Sequence, residues 1–233
     1  MARAPAPARP TATRPTPAWR FLLRPGQLYW LGMIPAVWTF YLGVTDQLGA
    51  DPMKVLERSL GLWALRFLVV CLAITPVRRL TGFSLLRYRR AVGLLAFFYA
   101  LLHLTTYLVL DRGLDLAEIW ADIVKRPFIT VGMAAFLILV PLALTSNNLA
   151  IRRLGGAAWA RLHRWVYAAA ALAAVHFVMV VKAWPLEPLV YAAILFLLLA
   201  YRLVQRWGAP KAAARRRPGL QPVRELPSAG TTQ

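Results

Sequence analysis

Residues 89–111 read RRAVGLLAFFYALLHLTTYLVLD and form the most informative segment of this chain. Two arginines precede a run of apolar residues, and a single histidine, His103, interrupts the run before it ends at Asp111. The run matches the ~20 apolar residues that a helix needs to cross the hydrocarbon core of a bilayer. Because open sheets cannot exist in lipid, the pattern predicts a membrane-spanning helix.

Five similar apolar segments flank this one. The six predicted spans lie near residues 28–45, 59–75, 91–110, 128–145, 163–182 and 187–205. The whole chain is 59% hydrophobic with a mean hydropathy of +0.54, whereas a soluble domain is ~45–50% apolar. We therefore predict an all-α fold, a polytopic membrane bundle of about six transmembrane helices.

Basic segments surround this bundle. Residues 1–20 and 208–233 are predicted to be disordered basic tails, which leaves 21–207 as the transmembrane domain. The connections at 75–90 and 146–164 contain arginines and no acid, whereas the opposite loops contain eight of the nine acidic residues. The positive-inside rule then places both termini in the cytoplasm of a bacterial inner membrane. Because the basic residues flank apolar runs, the net charge of +19 does not indicate nucleic-acid binding.

The chain has few of the residues that build other redox centres. Its single cysteine, Cys71, excludes a disulfide or an iron–sulfur cluster within one chain. No G-x-G-x-x-G motif indicates a dinucleotide domain. We expect any electron donor or substrate-converting enzyme to be a separate molecule. The outer loop at about 111–127 would help to dock the partner that accepts the electrons.

The three histidines are the strongest functional candidates, because ionisable groups within membrane spans are costly. His103 and His176 each lie thirteen residues from the basic end of an outward-running span, about 20 Å along the helix. Two imidazoles at one depth on two helices can bind one heme iron from both sides. We predict that His103 and His176 are its axial ligands, although a lone intramembrane histidine also serves as an interhelical hydrogen bonder.

Two further residues are candidates for the same cofactor. His163 lies ~20 Å below His176 and ~140° around a straight helix, so it faces the same cleft only if the helix bends or begins irregularly. Arg66 lies at about the depth of His103 and is expected to pair with a heme propionate, unless it extends towards the lipid headgroups.

Several motifs in this order resemble the MsrQ (YedZ) family. The resemblance covers about residues 70–206. It rests on Thr75-Pro76-x-Arg78-Arg79, Arg89-Arg90-x-x-Gly93-Leu94, Phe97-x-Tyr99, His103, Tyr107, Lys125-Arg126-Pro127, Gly132, Leu144-Thr145-Ser146, Arg152-Arg153-Leu154-Gly155, Trp159, Leu162-His163-Arg164, Tyr167 and His176-Phe177.

The resemblance implies a function. Members of this family are similar to the membrane core of ferric reductases, bind heme b, and pass electrons to MsrP, a periplasmic molybdopterin enzyme that reduces methionine sulfoxide in oxidised proteins. FMN and a cytoplasmic flavin reductase or a quinone as donor are also associated with the family. Its three histidines map onto His103, His163 and His176. The arginines that could bind a flavin phosphate, or simply anionic lipid, are Arg87, Arg89, Arg90, Arg152, Arg153 and Arg164.

Two other classes of function remain open at this point. A free-standing membrane ferric or quinone reductase would use the same heme. A proton-coupled transporter would use the histidines as a proton path, but transporters commonly contain internal repeats, and no convincing repeat is visible in the sequence. By contrast, the resemblance to the MsrQ family implies that this chain is an electron-transfer subunit and not the subunit that converts substrate.

Overall fold

The computed structural model describes residues 24–181 and 185–215, with the backbone alone described in 206–215. In this part the chain forms helices and no strand, which confirms the predicted all-α class. The helices are α1 (Pro25–Val44), α2 (Pro52–Thr81), α3 (Leu86–Asp111), α4 (Leu116–Lys125), α5 (Pro127–Leu144), α6 (Asn148–Leu154), α7 (Gly156–Val180) and α8 (Leu186–Arg215).

Five of these helices are long and apolar enough to cross a membrane: α2, α3, α5, α7 and the Leu186–Gln205 part of α8. The sequence predicted about six spans, and the first of them corresponds to α1. This helix has 20 residues and no charged side chain, but Gln27 and two prolines make it less apolar than the other five. At 1.5 Å per residue, α1 is nevertheless ~30 Å long, enough to cross the hydrocarbon core.

Two helical hairpins form the centre of the bundle. Helix α3 packs closely along α2, and α7 packs closely along α5, whereas α3 and α7 make at most marginal contact with each other. Helix α8 packs against α7 and α2. A buried cluster that includes Leu68, Leu72, Ala170 and Leu195 joins α2, α7 and α8. The two hairpins also contact each other, because α3 packs against α5 and α2 packs against α7.

Local sequence signals explain where the helices begin and end. Asp51 and Asp115 cap α2 and α4 by accepting hydrogen bonds from backbone N–H groups of the first turn. Gly82 ends α2 in the left-handed conformation with φ of 75°, which a residue without Cβ adopts at no steric cost. Gly155, with φ of 76° and ψ of 147°, separates α6 from α7 in a different conformation, whose positive φ also favours glycine.

The structure differs from the sequence prediction at two boundaries. The predicted loop at 111–127 contains the ten-residue helix α4, because Asp115 supplies an N-cap and apolar residues recur at helical spacing. Helix α8 continues to Arg215, past the predicted start of the tail at 208, in agreement with the high helix propensity of the Lys-Ala-Ala-Ala-Arg segment at 211–215. The predicted tail at 1–20, and the part of the C-terminal tail after Arg215, lie outside the described residues.

Candidate heme site

The structure brings His103 and His176 together between the two hairpins. His103 extends from α3 and His176 from α7, and their ring centroids lie 6.2 Å apart with an angle of 74° between the ring planes. Each histidine is near the end of its helix that meets α4 or α8, as the matched depths predicted. The two rings are half-buried, so they are shielded by the bundle without being enclosed on every side.

Each imidazole uses its Nδ1 atom in the same way. Nδ1 of His103 lies 2.9 Å from the backbone carbonyl oxygen of Glu57 on α2. Nδ1 of His176 lies 2.7 Å from the carbonyl oxygen of Phe128 on α5. A carbonyl oxygen only accepts, so Nδ1 must donate in both pairs, and the neutral tautomer leaves Nε2 with a free lone pair. Within the described residues, Nε2 of neither ring makes a hydrogen bond.

This geometry fits one metal ion between two Nε2 atoms. A metal held ~2.0 Å from each of two opposed imidazole nitrogens places the ring centroids about 6 Å apart. The observed 6.2 Å agrees with this separation. Metal-binding histidines characteristically donate their second N–H to a carbonyl or carboxylate, and both rings already do so. The pair therefore has the donor set of a six-coordinate heme iron, with one ligand from each hairpin.

A polar network lies one helical turn beyond His103. Tyr107 donates to Asp122 Oδ2 at 3.0 Å, and the same carboxylate binds Arg112 at 2.9 Å and Arg126 at 3.0 Å. Burial alone would lower the pKa of the Arg112 guanidinium, but the carboxylates of Asp111 and Asp122 raise it above its ordinary value. Arg112 thus remains a cation and, through Asp122, fixes α4 to the end of α3.

The third histidine is in a different environment. His163 lies in a short 3-10 turn, His163–Trp165, which interrupts the α-helical geometry within α7. Its Nε2 lies 3.0 Å from Thr145 Oγ1, and its ring stacks on Trp159 at 3.9 Å. Trp159 in turn donates to the carbonyl oxygen of Thr145 at 2.8 Å. The structure brings His163 to the end of α5 and gives its Nε2 a protein partner.

Arg66 is directed towards α8. Its Nε donates to the hydroxyl of Tyr191 at 2.9 Å, a guanidinium nitrogen lies 4.0 Å from Glu187, and its Cζ lies 4.8 Å from the ring centroid of Trp63. These contacts account for the position of a cation inside a span without any propionate. Pairing between Arg66 and a heme propionate stays a prediction.

Some arginines of the basic cluster, at the end of the bundle away from the histidine pair, contact other side chains of the protein. Arg90 donates to the Asn148 side chain at 2.9 Å, and Arg87 lies over the ring of Tyr88 with its Cζ 4.6 Å from the centroid. The Arg90 contact brings the two basic connections to one end of the molecule. The role of these arginines in binding a flavin phosphate remains a prediction.

Sequence reasoning missed the groups that orient the histidines. The carbonyl oxygens of Glu57 and Phe128 belong to the backbone, and no residue type encodes a carbonyl partner. Thr145 was noticed only as part of a family motif, and its bond to His163 requires the fold to be known. The sequence also did not distinguish the partners of the aromatic residues near His103. Tyr99 forms a hydrogen bond with α1, whereas Phe97 stacks on Phe136 of α5 at 5.6 Å.

Comparison with known proteins agrees with this architecture. Residues 60–186 match the family described as ferric reductase like transmembrane component, so the chain belongs to that class of membrane proteins. It is also 59% identical over 204 residues to proteins from Brucella ovis, Brucella abortus and Brucella melitensis, with 85% of this chain and 90% of each relative covered. Those relatives carry the name protein-methionine-sulfoxide reductase heme-binding subunit MsrQ. The chain belongs to the MsrQ family.

Proposed function

We propose that this chain is a heme b membrane subunit that passes electrons through the bilayer to a periplasmic methionine sulfoxide reductase. The observation that carries the proposal is the opposed pair of His103 and His176, with centroids 6.2 Å apart and both Nδ1 atoms bonded to carbonyl oxygens. The related Brucella proteins are named as heme-binding subunits of a protein-methionine-sulfoxide reductase, which supports the same function here.

In this proposal, some residues would bind the heme and others would exclude water from it. His103 and His176 would supply the two axial nitrogens, and the carbonyl oxygens of Glu57 and Phe128 hold the rings in one tautomer. A bound heme supplies one-electron chemistry, and the axial ligands and their hydrogen bonds set its reduction potential. The apolar walls of α2, α3, α5 and α7 exclude water, so electrons rather than dissolved reactants cross the bundle.

The direction of transfer follows from the proposed topology. Three cross-links support a common basic end and a common acidic end: Arg90 to Asn148, Arg79 to Gln205 at 2.7 Å, and Arg58 to Glu187 at 3.1 Å. We assign the arginine-rich end to the cytoplasm of the inner membrane. Both chain ends then lie inside, and the histidine pair lies nearer the periplasm.

The same proposal includes the partner proteins and the route of electrons on the cytoplasmic side of the histidine pair. MsrP, a periplasmic molybdopterin enzyme, would accept electrons at the acidic end, and a cytoplasmic flavin reductase or membrane quinone would donate them at the basic end. The proposal places FMN, if it is bound, near the arginine cluster at this end. His163 is a candidate third iron ligand, but its bond to Thr145 would have to break for Nε2 to bind iron.

The absorption spectrum of detergent-purified protein tests the proposal. We expect a Soret band and a dithionite-reduced α-band that are lost when His103→Ala and His176→Ala are combined. Trp30→Phe is the control, because Trp30 is 80% exposed on α1, whereas both histidines lie on other helices. A spectrum without these bands would indicate a transporter, and bands that survive the double substitution would contradict the ligand assignment.

Two further measurements extend the test. Electron delivery from the reduced protein to purified periplasmic reductase is expected, and reduction of ferric iron or quinone without that partner would favour a free-standing reductase. Heme per polypeptide in the wild type and in His163→Ala then shows whether the third histidine binds a second iron.

A further inference from the structure

Each of the two paired histidines lies against a glycine of the neighbouring helix. A methyl group built on Gly61 of α2 would lie 3.1 Å from Nδ1 and 3.2 Å from Cε1 of His103. A methyl group built on Gly132 of α5 would lie 2.8 Å from Nδ1 and 2.9 Å from Cε1 of His176. A side chain at Gly132 would therefore force the ring of His176 to shift, and one at Gly61 would require the ring of His103 to move by a few tenths of an ångström.

In each hairpin, one glycine and one carbonyl group act on the same histidine ring. Gly61 follows Glu57 by four residues and Gly132 follows Phe128 by four residues, so each glycine lies on the same helix face as the carbonyl that its histidine contacts. We call each pair, Glu57 with Gly61 and Phe128 with Gly132, a cradle. The carbonyl oxygen fixes the direction of Nδ1–H, and the glycine lets the ring come close enough to reach that oxygen.

The two cradles occupy equivalent places in the two hairpins. In both, the helix that carries the cradle precedes the helix that carries the histidine, and the carbonyl and the histidine are 46 and 48 residues apart. The α2–α3 and α5–α7 hairpins thus repeat one arrangement within the described part of the chain. The repeat is not visible in the sequence, because the two hairpins share only one glycine, one histidine and a backbone carbonyl oxygen that any residue could supply.

We propose that Gly61 and Gly132 are paired positioning residues for the axial histidines, one in each half of an internally repeated heme site. The inference rests on the proposed function, since it assigns a role to residues around the same two ligands. A side chain at either glycine would push the imidazole away from its carbonyl oxygen, weaken the Nδ1–H bond and displace Nε2 from the shared metal position. Groups that orient metal ligands in this way typically change metal affinity by about 10–100-fold when they are lost.

The test compares alanine variants of three glycines within spanning helices. Gly132→Ala, with the shortest contact, is expected to weaken heme binding by about 10-fold in titrations of apoprotein with hemin. Gly61→Ala is expected to have a smaller effect of the same sign, because its contact is longer. Gly93→Ala is the matched control, since its methyl group would meet Cys71 Sγ at an ordinary 3.6 Å, and we expect wild-type affinity.

A spectroscopic measurement separates positioning from general packing. In the oxidised wild type, pulsed EPR is expected to detect an exchangeable Nδ1 proton on both axial ligands. The low-spin ferric signal is expected to shift in Gly132→Ala and Gly61→Ala, and to stay at the wild-type position in Gly93→Ala. Helical circular dichroism and a single gel-filtration peak for the apoproteins show that the variants fold.

The experiments distinguish failure of the proposed function from failure of the inference about the two glycines. If the wild type binds no heme, the proposed function itself is wrong. If the wild type binds heme through His103 and His176 but the three glycine variants have equal affinity and equal spectra, only the present inference is wrong. Loss of the folded apoprotein in both Gly61→Ala and Gly132→Ala would also overturn it, because the glycines would then serve helix packing rather than the rings.

Discussion

At the scale of single residues, one tyrosine shows how the membrane environment shapes the structure. Pro35 interrupts the backbone hydrogen bonds of α1, and Tyr99 of α3 inserts its hydroxyl at this point. The hydroxyl accepts from the Ala36 N–H at 2.9 Å and donates to the Gly32 carbonyl oxygen at 2.7 Å. A side chain thus replaces one rung of the helix ladder where lipid offers no hydrogen-bond partner.

Tyr99→Phe is expected to lower the thermal stability of the protein. The ring would still pack against Trp63 and Phe67, but one donor and one acceptor of α1 would lose their partner, at a cost of about 1–3 kcal/mol each. Thermal unfolding of the detergent-purified protein measures the change in Tm. Tyr41→Phe is the control, because Tyr41 is 53% exposed on α1. Equal Tm values for the two variants would show that the Tyr99 hydroxyl contributes nothing.

The angle between the imidazole planes leads to a second prediction at this scale. The rings of His103 and His176 are inclined by 74°, which is nearer perpendicular than parallel. Axial imidazoles in perpendicular planes leave two iron d orbitals almost equal in energy, so a strongly anisotropic low-spin ferric EPR signal is expected. Low-temperature EPR of the oxidised protein measures it. A rhombic signal, as parallel imidazole planes give, would contradict the observed ring orientation.

At the scale of elements, α4 is fixed to the bundle by one face and exposed on the other. Asp122 is buried and binds Arg112 and Arg126. On the opposite face, Leu116, Trp120 and Val124 recur every four residues and are 67–79% exposed. A helix with such faces, placed between two membrane spans, belongs at the interface between lipid and water.

Asp122→Ala should destabilise the protein far more than Glu118→Ala. Removing Asp122 leaves two arginines and the Tyr107 hydroxyl without their shared partner, at a cost of about 3–5 kcal/mol. Glu118 also approaches Arg112, at 3.6 Å, but its side chain is 62% exposed, so its loss should cost less than about 1 kcal/mol. Tm in detergent measures both. A similar fall for the two variants would mean that burial of the carboxylate is not the cause.

The helices illustrate what the sequence could and could not reveal. Apolar length located every predicted span to within several residues, because the hydrocarbon core imposes that length on any helix that crosses it. The depth of His103 and His176 followed from counting residues at a constant rise. The face that each histidine presents, the carbonyl groups of Glu57 and Phe128, and the Thr145 bond of His163 depend on how helices rotate against one another. A single sequence does not contain that information.

At the scale of the whole molecule, charge separates the two ends of the bundle. Leu28 of α1 packs beside Tyr88 at the basic end, and Phe40 packs beside Leu56 at the acidic end, so α1 runs the full thickness of the bundle. The proposed topology counts α1 as a sixth crossing beside the five candidate spans, so that both chain ends would lie in the cytoplasm.

Cysteine labelling in whole cells tests this topology. In a Cys71→Ala background, which removes the single native thiol, Gln47→Cys should react with a membrane-impermeant maleimide in intact cells. Ser84→Cys, in the exposed connection between α2 and α3, should react only after the inner membrane is permeabilised. The opposite pattern would invert the orientation, and labelling of both positions from outside would contradict the even number of crossings.

The division of the proposed ligand pair, His103 and His176, between two hairpins would have a consequence for biosynthesis. The ribosome completes α3 long before it completes α7, so a growing chain has only one of the two imidazoles for much of its synthesis. If heme needs both imidazoles, chains that stop early, or whose second hairpin fails to insert, would not retain it. Heme would then be bound only by chains in which both hairpins have been inserted and packed together.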